Sequence, residues 1–349
     1  PIAARDPSTV RDVVQSSASK LLAAAPANLL VNVTKLLTAL NVKTDDQAFA
    51  ALLADTSRSS DVRPAGLHLL ENRKYEQLSE IIDTLLVSDS AELRAEARDL
   101  LASRDETRAT SIFSKLLDDQ NSEVTEKQRA IASLARSKSP AASQTLDDWA
   151  DRLRKGKVPA SLQLDLIEAF TASPSASREA AMHQFDASAN ESDPLFAYRL
   201  ALTGGNAKSG RDIFVGHAKA QCIRCHKIDD SGGTAGPDLS KVASPEGKLD
   251  RQHFLESIVL PNAKIAKGFG TVAVVLDSGK VVAGKIKAED VETLTLVTPE
   301  NMTIRINREN IDEQSASISA MPEMTKALTL REIRDLVEYL STRGNNNQP

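Results

Sequence analysis

The chain has only two cysteines, Cys222 and Cys225, among 349 residues. With no second cysteine pair and the other histidines (His68, His183, His217, His253) scattered, a structural zinc site, which takes four ligands, lacks two of them. A basic surplus is also missing. Lys and Arg total 43 against 48 Asp and Glu, for a net charge of -5, so nothing supports a counterion-releasing grip on nucleic acid. No apolar run approaches the roughly 20 residues that a membrane span needs, so none is expected. No charged-then-apolar leader pattern opens the chain either. It begins at Pro1 without an initiator Met and reads as a mature form or a fragment of a longer protein. No acid–base pair or nucleophile stands out, so no catalytic residue is assigned and catalysis by this chain itself is not expected.

What is present is 41% hydrophobic and 26% charged residues, enough to bury a large core in two or three domains. From about residue 8 to 203 strand signals are nearly absent, and apolar residues recur at helical spacing, as in Val10, Val13, Val14, Leu21, Leu22 and Leu29, Leu30, Val33, Leu36, Leu37, Leu40. Polar breaks such as "LADTSRSSD", "SDSAEL", "DDQNSEV" and "TASPSAS" divide this stretch into helix-sized segments. "VRPAGLHLLENR" from Val62 aligns with "LRAEARDLLASR" from Leu93, and more loosely with "KQRAIASLARS" from Lys127 and "LDLIEAFTAS" from Leu164. Intervals of roughly 31 to 36 residues suit helix pairs that must stack to cover their apolar faces. The stretch looks like a run of degenerate HEAT repeats, an α-solenoid over residues 1–205, with an irregular helical bundle as the alternative.

"TGGNAKSG" at 203–210 interrupts the helical period and marks the expected boundary to a second domain, 206–349. Within it, alternation and β-branched residues between about 268 and 313 predict an inserted antiparallel module of four or five strands, with turns at Ser278-Gly279 and Pro299-Glu300-Asn301. Val272, Val274, Ile304 and Ile306 are its expected inward positions. Helix returns in "TLREIRDLVEYLST", with Leu330, Ile333, Leu336, Val337 and Leu340 on one face, and the polar tail "GNNNQP" is expected to be disordered.

The two thiols stand three positions apart in "QCIRCHKI", with His226 directly after the second. A thioredoxin-like dithiol wants a strand before it and a helix after it, whereas these cysteines follow a predicted helix and precede a Gly-rich loop. Two thiols one short turn apart match the two vinyl groups on one edge of a porphyrin, and the next residue then meets the iron through Nε2. One covalent haem c at Cys222 and Cys225, with His226 as proximal ligand, is therefore the expected cofactor.

Downstream, Gly236-Pro237-Asp238-Leu239 resembles the Gly-Pro-x-Leu element of class I cytochromes c. That resemblance implies that the Pro237 carbonyl accepts a hydrogen bond from the proximal histidine, and that Gly236 and Leu239 belong to the haem site. Of the four methionines, Met182 lies in the helical stretch and Met302 in a predicted strand, while Met321 and Met324 lie in "SASISAMPEMTKAL". Met321 sits where class I cytochromes place the axial methionine, with Met324 as the fallback; either could instead fill core. His217 and His253 are weaker candidates for that position. The order of "GRDIF", "CIRCHKI", "GPDLS", "LESIVLPNAKIAKGF", "DSGKVVAGKI", "SAMPEM" and "LTLREIRDLVEYL" over about 208–343 resembles the haem-binding domain of many large secreted proteins of planctomycetes and verrucomicrobia. In that family the domain often follows HEAT-like repeats and a dehydrogenase-like propeller. The resemblance implies an exported, periplasmic electron carrier whose partners are a dehydrogenase module upstream and a terminal electron acceptor downstream. Two alternatives are a five-coordinate haem enzyme or sensor of peroxidase type, and a docking scaffold with the haem domain as appendage.

Overall fold

The computed structural model describes residues 7–24, 27–40 and 74–344, apart from 188–192, 246, 248 and 299, together with isolated positions between 41 and 73. The break "LADTSRSSD", most of the repeat from Val62, His68, Pro299 and the tail beyond Gly344 lie outside the described residues. The protein is mainly helical with a small antiparallel sheet, and divides into two compact units, Pro1–Asp148 and Trp149–Pro349.

In the first unit the helical spacing gives α1 (Pro7–Ala24), α2 (Ala27–Ala39), α3 (Leu78–Leu85), α4 (Ala91–Arg104), α5 (Glu106–Asp118), α6 (Val124–Arg136) and the start of α7 (Pro140–Arg154). The polar breaks act as caps. Ser90 accepts the Leu93 N–H at the start of α4, and Asp105 alone joins α4 to α5: its N–H closes the one on Leu101 O and its carboxylate accepts the Arg108 N–H. Leu93, Leu100, Phe113, Leu117, Ile131 and Leu134 form the aliphatic core. A polar seam runs beside it between α4 and α6, helices one interval apart in the sequence. Glu126, 2% exposed, accepts from Arg94 at 2.8 Å and Arg98 at 2.5 Å, and Arg129 reaches Glu96 and Asp99.

The second unit holds the rest of α7, then α8 (Ala160–Ala172), α9 (Ala176–Ala187), a 3-10 turn (Phe196–Ala201), α10 (Ala207–Gly216), α11 (Arg251–Val259) and the final helix α12 (Leu330–Ser341). It thus begins upstream of the composition change at 203–210. Its helical core takes Phe214 from α10, Phe254, Leu255 and Ile258 from α11, and Ile333, Leu336, Val337, Tyr339 and Leu340 from α12. Leu330, also expected on this face, is half-buried at its edge. The crossing of α10 and α12 is close because Gly210 lacks a side chain: a Cβ there would lie 2.0 Å from the Asp335 carbonyl oxygen and 2.7 Å from Tyr339 Cβ. One turn along, the Phe214 and Tyr339 rings pack at 5.9 Å between centroids. The opposite face of α12 meets α8, where Asp165 (1% exposed) pairs with Arg334 (3% exposed) at 2.7 Å and with Arg331 at 2.9 Å. Arg251 of α11 grips Glu338 of α12 with two bonds of 2.7 and 2.8 Å.

Two short strands, β1 (Lys227–Ile228) and β2 (Ser231–Gly232), pair as a hairpin. The inserted module follows α11 as β3 (Gly270–Leu276), β4 (Val281–Glu289), β5 (Thr293–Val297), β6 (Thr303–Asn307), β7 (Ile311–Gln314) and β8 (Ile318–Ser319). The order is β6-β5-β4-β3-β7, all antiparallel, with β8 also on β3. Six strands form where four or five are expected, because β8 is too short to show alternation. Gly279, at φ +77, makes the turn after Ser278. Met302 is not in a strand: it closes the hairpin before β6, accepting the Thr298 N–H, and is exposed. Val272, Val274, Val282, Leu294, Leu296 and Ile306 form the module's core, with Ile304 half-buried beside them. Every member belongs to the module's strands, and among the described residues this core shares no side chain with the helical one.

Candidate functional site

Cys222, Ile223 and Arg224 form a single 3-10 turn, entered through Gln221 in the left-handed region at φ +48. The N–H groups of Cys225 and His226 both point at the Cys222 carbonyl, at 3.1 and 3.0 Å. The turn thus sets the two cysteines, positions i and i+3, at its two ends. Both are free; Cys222 is half-buried against the helical core while Cys225 is exposed. Burial pushes the Cys222 thiol up from its ordinary value.

The Gly-rich loop wraps this turn. The N–H of Gly233 donates to Ile223 O at 2.9 Å, that of Gly236 to Cys225 O at 2.8 Å, and that of Leu239 to Lys227 O at 2.8 Å. A Cβ on Gly233 would lie 2.0 Å from the Arg224 carbonyl oxygen, and one on Gly236 would lie 2.6 Å from His226 Cε1 and 2.8 Å from its Nδ1. Glycine at 236 is therefore what lets the imidazole approach the loop backbone so closely.

His226 Nδ1 stands 3.0 Å from Pro237 O. A carbonyl only accepts, so Nδ1 carries the proton, and in the neutral ring Nε2 keeps its lone pair. Burial lowers the His226 pKa from its ordinary value, and the bond to Pro237, which acts in the opposite direction, is outweighed. The result is a neutral, oriented imidazole whose Nε2 keeps its lone pair.

Cys222, Leu239, Met321 and Met324 all border the same helical core. Met324, first residue of a 3-10 turn, is buried among aliphatic side chains, whereas Met321 is half-buried at the margin, its N–H on Ser319 Oγ at 3.1 Å. His217 is used elsewhere: Nδ1 accepts the Ala220 N–H at 3.0 Å and Nε2 lies 3.4 Å from Glu332, tying the end of α10 to the start of α12. His253 sits on α11, edge-on to Phe254. Among the described residues no three His, Cys, Asp or Glu side chains gather as a metal-binding group.

Three contacts were not foreseeable from motif spacing. Arg343, stacked on Tyr339, reaches Asp229 in the β1–β2 turn at 2.5 Å. Asn262 accepts the Ser319 N–H at 2.8 Å, and Lys285 of β4 donates to Ala235 O at 3.0 Å, one residue before Gly236. Each joins residues 50 or more positions apart, and nothing local in the sequence marks such pairs. No helix among the described residues is long and apolar enough to cross a membrane. No family model and no curated protein matches the chain.

Proposed function

We propose that the chain carries electrons through one covalently bound haem c, held by thioethers at Cys222 and Cys225, with His226 and Met321 as axial ligands. The observation that carries this reading is the His226–Pro237 hydrogen bond at 3.0 Å beneath a glycine-sized gap. It fixes the tautomer that ligation through Nε2 requires, directly behind two thiols at the ends of a single turn. The site residues fit the group: a neutral imidazole, two free thiols and thioether sulfur at the edge of one aliphatic wall. Haem iron, when bound, supplies reversible one-electron chemistry. The protein's own part is to orient His226 through Pro237, exclude water with Phe214, Leu239 and Leu336, and leave the Cys225 edge exposed.

Several features support the wider reading. The close crossing of α10 and α12 at Gly210 is what a class I cytochrome c arrangement of terminal helices calls for. The α4–α6 seam at one-repeat spacing favours a HEAT-like solenoid. Thioether attachment takes place outside the cytoplasm, so the protein is placed in the periplasm or another exported compartment. Its partners there are a dehydrogenase module as donor and a terminal electron acceptor. The test is the reduced-minus-oxidised spectrum of chain matured by a haem-attachment system. A low-spin six-coordinate spectrum that turns high-spin in Met321→Ala is expected; a wild-type spectrum already high-spin would contradict methionine ligation.

A further inference from the structure

The chain enters the β-module at β3 and leaves it after β8, and the module has a core of its own. Polar contacts clip it further. Asn262 holds Ser319 at the module's exit, and Lys285 reaches the loop that carries Gly236 and Pro237. Lys285 stands inside the sheet, opposite Thr271 on β3 and Val297 on β5, so the stem of its side chain starts from a fixed backbone. Its ammonium group lies 5.8 Å from the centroid of the Phe269 ring and donates to Ala235 O. A strand lysine ordinarily extends into water; holding its head in one place costs rotamer freedom, which a charge-assisted bond to a carbonyl offsets.

The loop so held is the one whose next two residues set the imidazole. Gly236 leaves the space that the His226 ring occupies and Pro237 supplies the carbonyl that accepts from Nδ1. We infer that Lys285 is a positioning residue for His226: the β-module braces the ligand loop from outside and sets a fixed positive charge beside it. This rests on the haem reading for its electrochemical consequence, while the bracing itself is a property of the polypeptide.

The test uses the full chain, haem-loaded and haem-free, with Lys285→Met, which keeps the stem and removes donor and charge, and Lys285→Arg, which keeps both. Hydrogen exchange in the haem-free chain should show the Gly236 amide, bonded to Cys225 O, exchanging on the order of tenfold faster in Lys285→Met. β3 and β4 should stay as protected as in wild type, and Lys285→Arg should restore the loop. In the loaded protein the midpoint potential should fall in Lys285→Met, because loss of a nearby cation favours the ferric state, and should return towards wild type in Lys285→Arg. Unchanged exchange at 233–237 in Lys285→Met overturns the brace. So does deprotection spread equally over β3 and β4, which would make Lys285 merely a support of the sheet. Unchanged potential with a loosened loop overturns the electrostatic half. Failure of the wild-type chain to take up haem would count against the proposed function alone, since the exchange measurements still decide the brace.

Discussion

A hydrogen atom at Gly236 separates an oriented imidazole from a displaced one. Gly236→Ala puts a methyl group 2.6 Å from His226 Cε1, with the loop backbone behind it, so the ring must move away from Pro237. Overpacking of this kind costs about 1–3 kcal/mol, and chemical denaturation of the haem-free chain should show that loss. The His226 Nδ1 proton, protected by Pro237 in the wild type, should exchange faster in the variant; an unchanged imidazole resonance would mean that the loop yields instead. At this scale the sequence was highly informative where partners are neighbours in the chain. Cys222, Cys225, His226 and Pro237 lie within 16 positions, and each spacing reflects a bond or turn of fixed geometry. Lys285 was illegible for the opposite reason. A lysine in a strand carries the same local signal whether its ammonium group meets water or Ala235 O, 50 residues away.

Helices and strands were legible through periodicity and caps, and the seams between them were not. The repeat interval foreshadowed that α4 and α6 would be related, yet Arg94, Arg98 and Glu126 look like any solvated helix face until the helices are side by side. Burial raises the Glu126 carboxyl, but the hydrogen bonds from Arg94 and Arg98 outweigh it and hold the group below its ordinary value of 4.5. A carboxylate depressed on folding stabilises above its unfolded pKa and loses that contribution as pH falls through the folded one. The melting temperature of the first unit should therefore drop more steeply below pH 4.5 in wild type than in Glu126→Gln; parallel pH profiles would show that the seam is not linked to folding. Between α8 and α12 the buried pair is Asp165 and Arg334, and Arg331 bridges from Asp165 to Glu168. Asp165→Asn leaves the buried Arg334 charged with only the more distant Asp335, at 3.9 Å, to offset it, with an expected cost on the order of 3 kcal/mol in equilibrium unfolding. Replacing both partners by apolar residues, Asp165→Leu with Arg334→Met, should recover much of that loss. If the double variant is no better than the single, the penalty comes from packing and not from the stranded charge.

Over the whole chain, two compact units and a self-cored β-module translate a sequence that changes character twice. The break in composition near 205 is visible because glycine interrupts the helical period, while the place of α8 in the second unit goes with ion pairs to α12 that no local pattern encodes. Calorimetry of the haem-free chain should accordingly show Glu126→Gln lowering a transition that Asp165→Asn leaves in place, and the reverse; one common shift for both would indicate a single cooperative block. The same scale decides the functional reading, because the proposed haem, if joined at Cys222 and Cys225, would be anchored at the edge of the core that α10, α11 and α12 build together. Pyridine haemochrome analysis of chain matured by a haem-attachment system, repeated after acid–acetone extraction, measures this directly. One haem per chain that survives extraction, and is lost from the double variant Cys222→Ala, Cys225→Ala, is the expected result. A matured chain with no haem, or with haem that extracts freely, would contradict it.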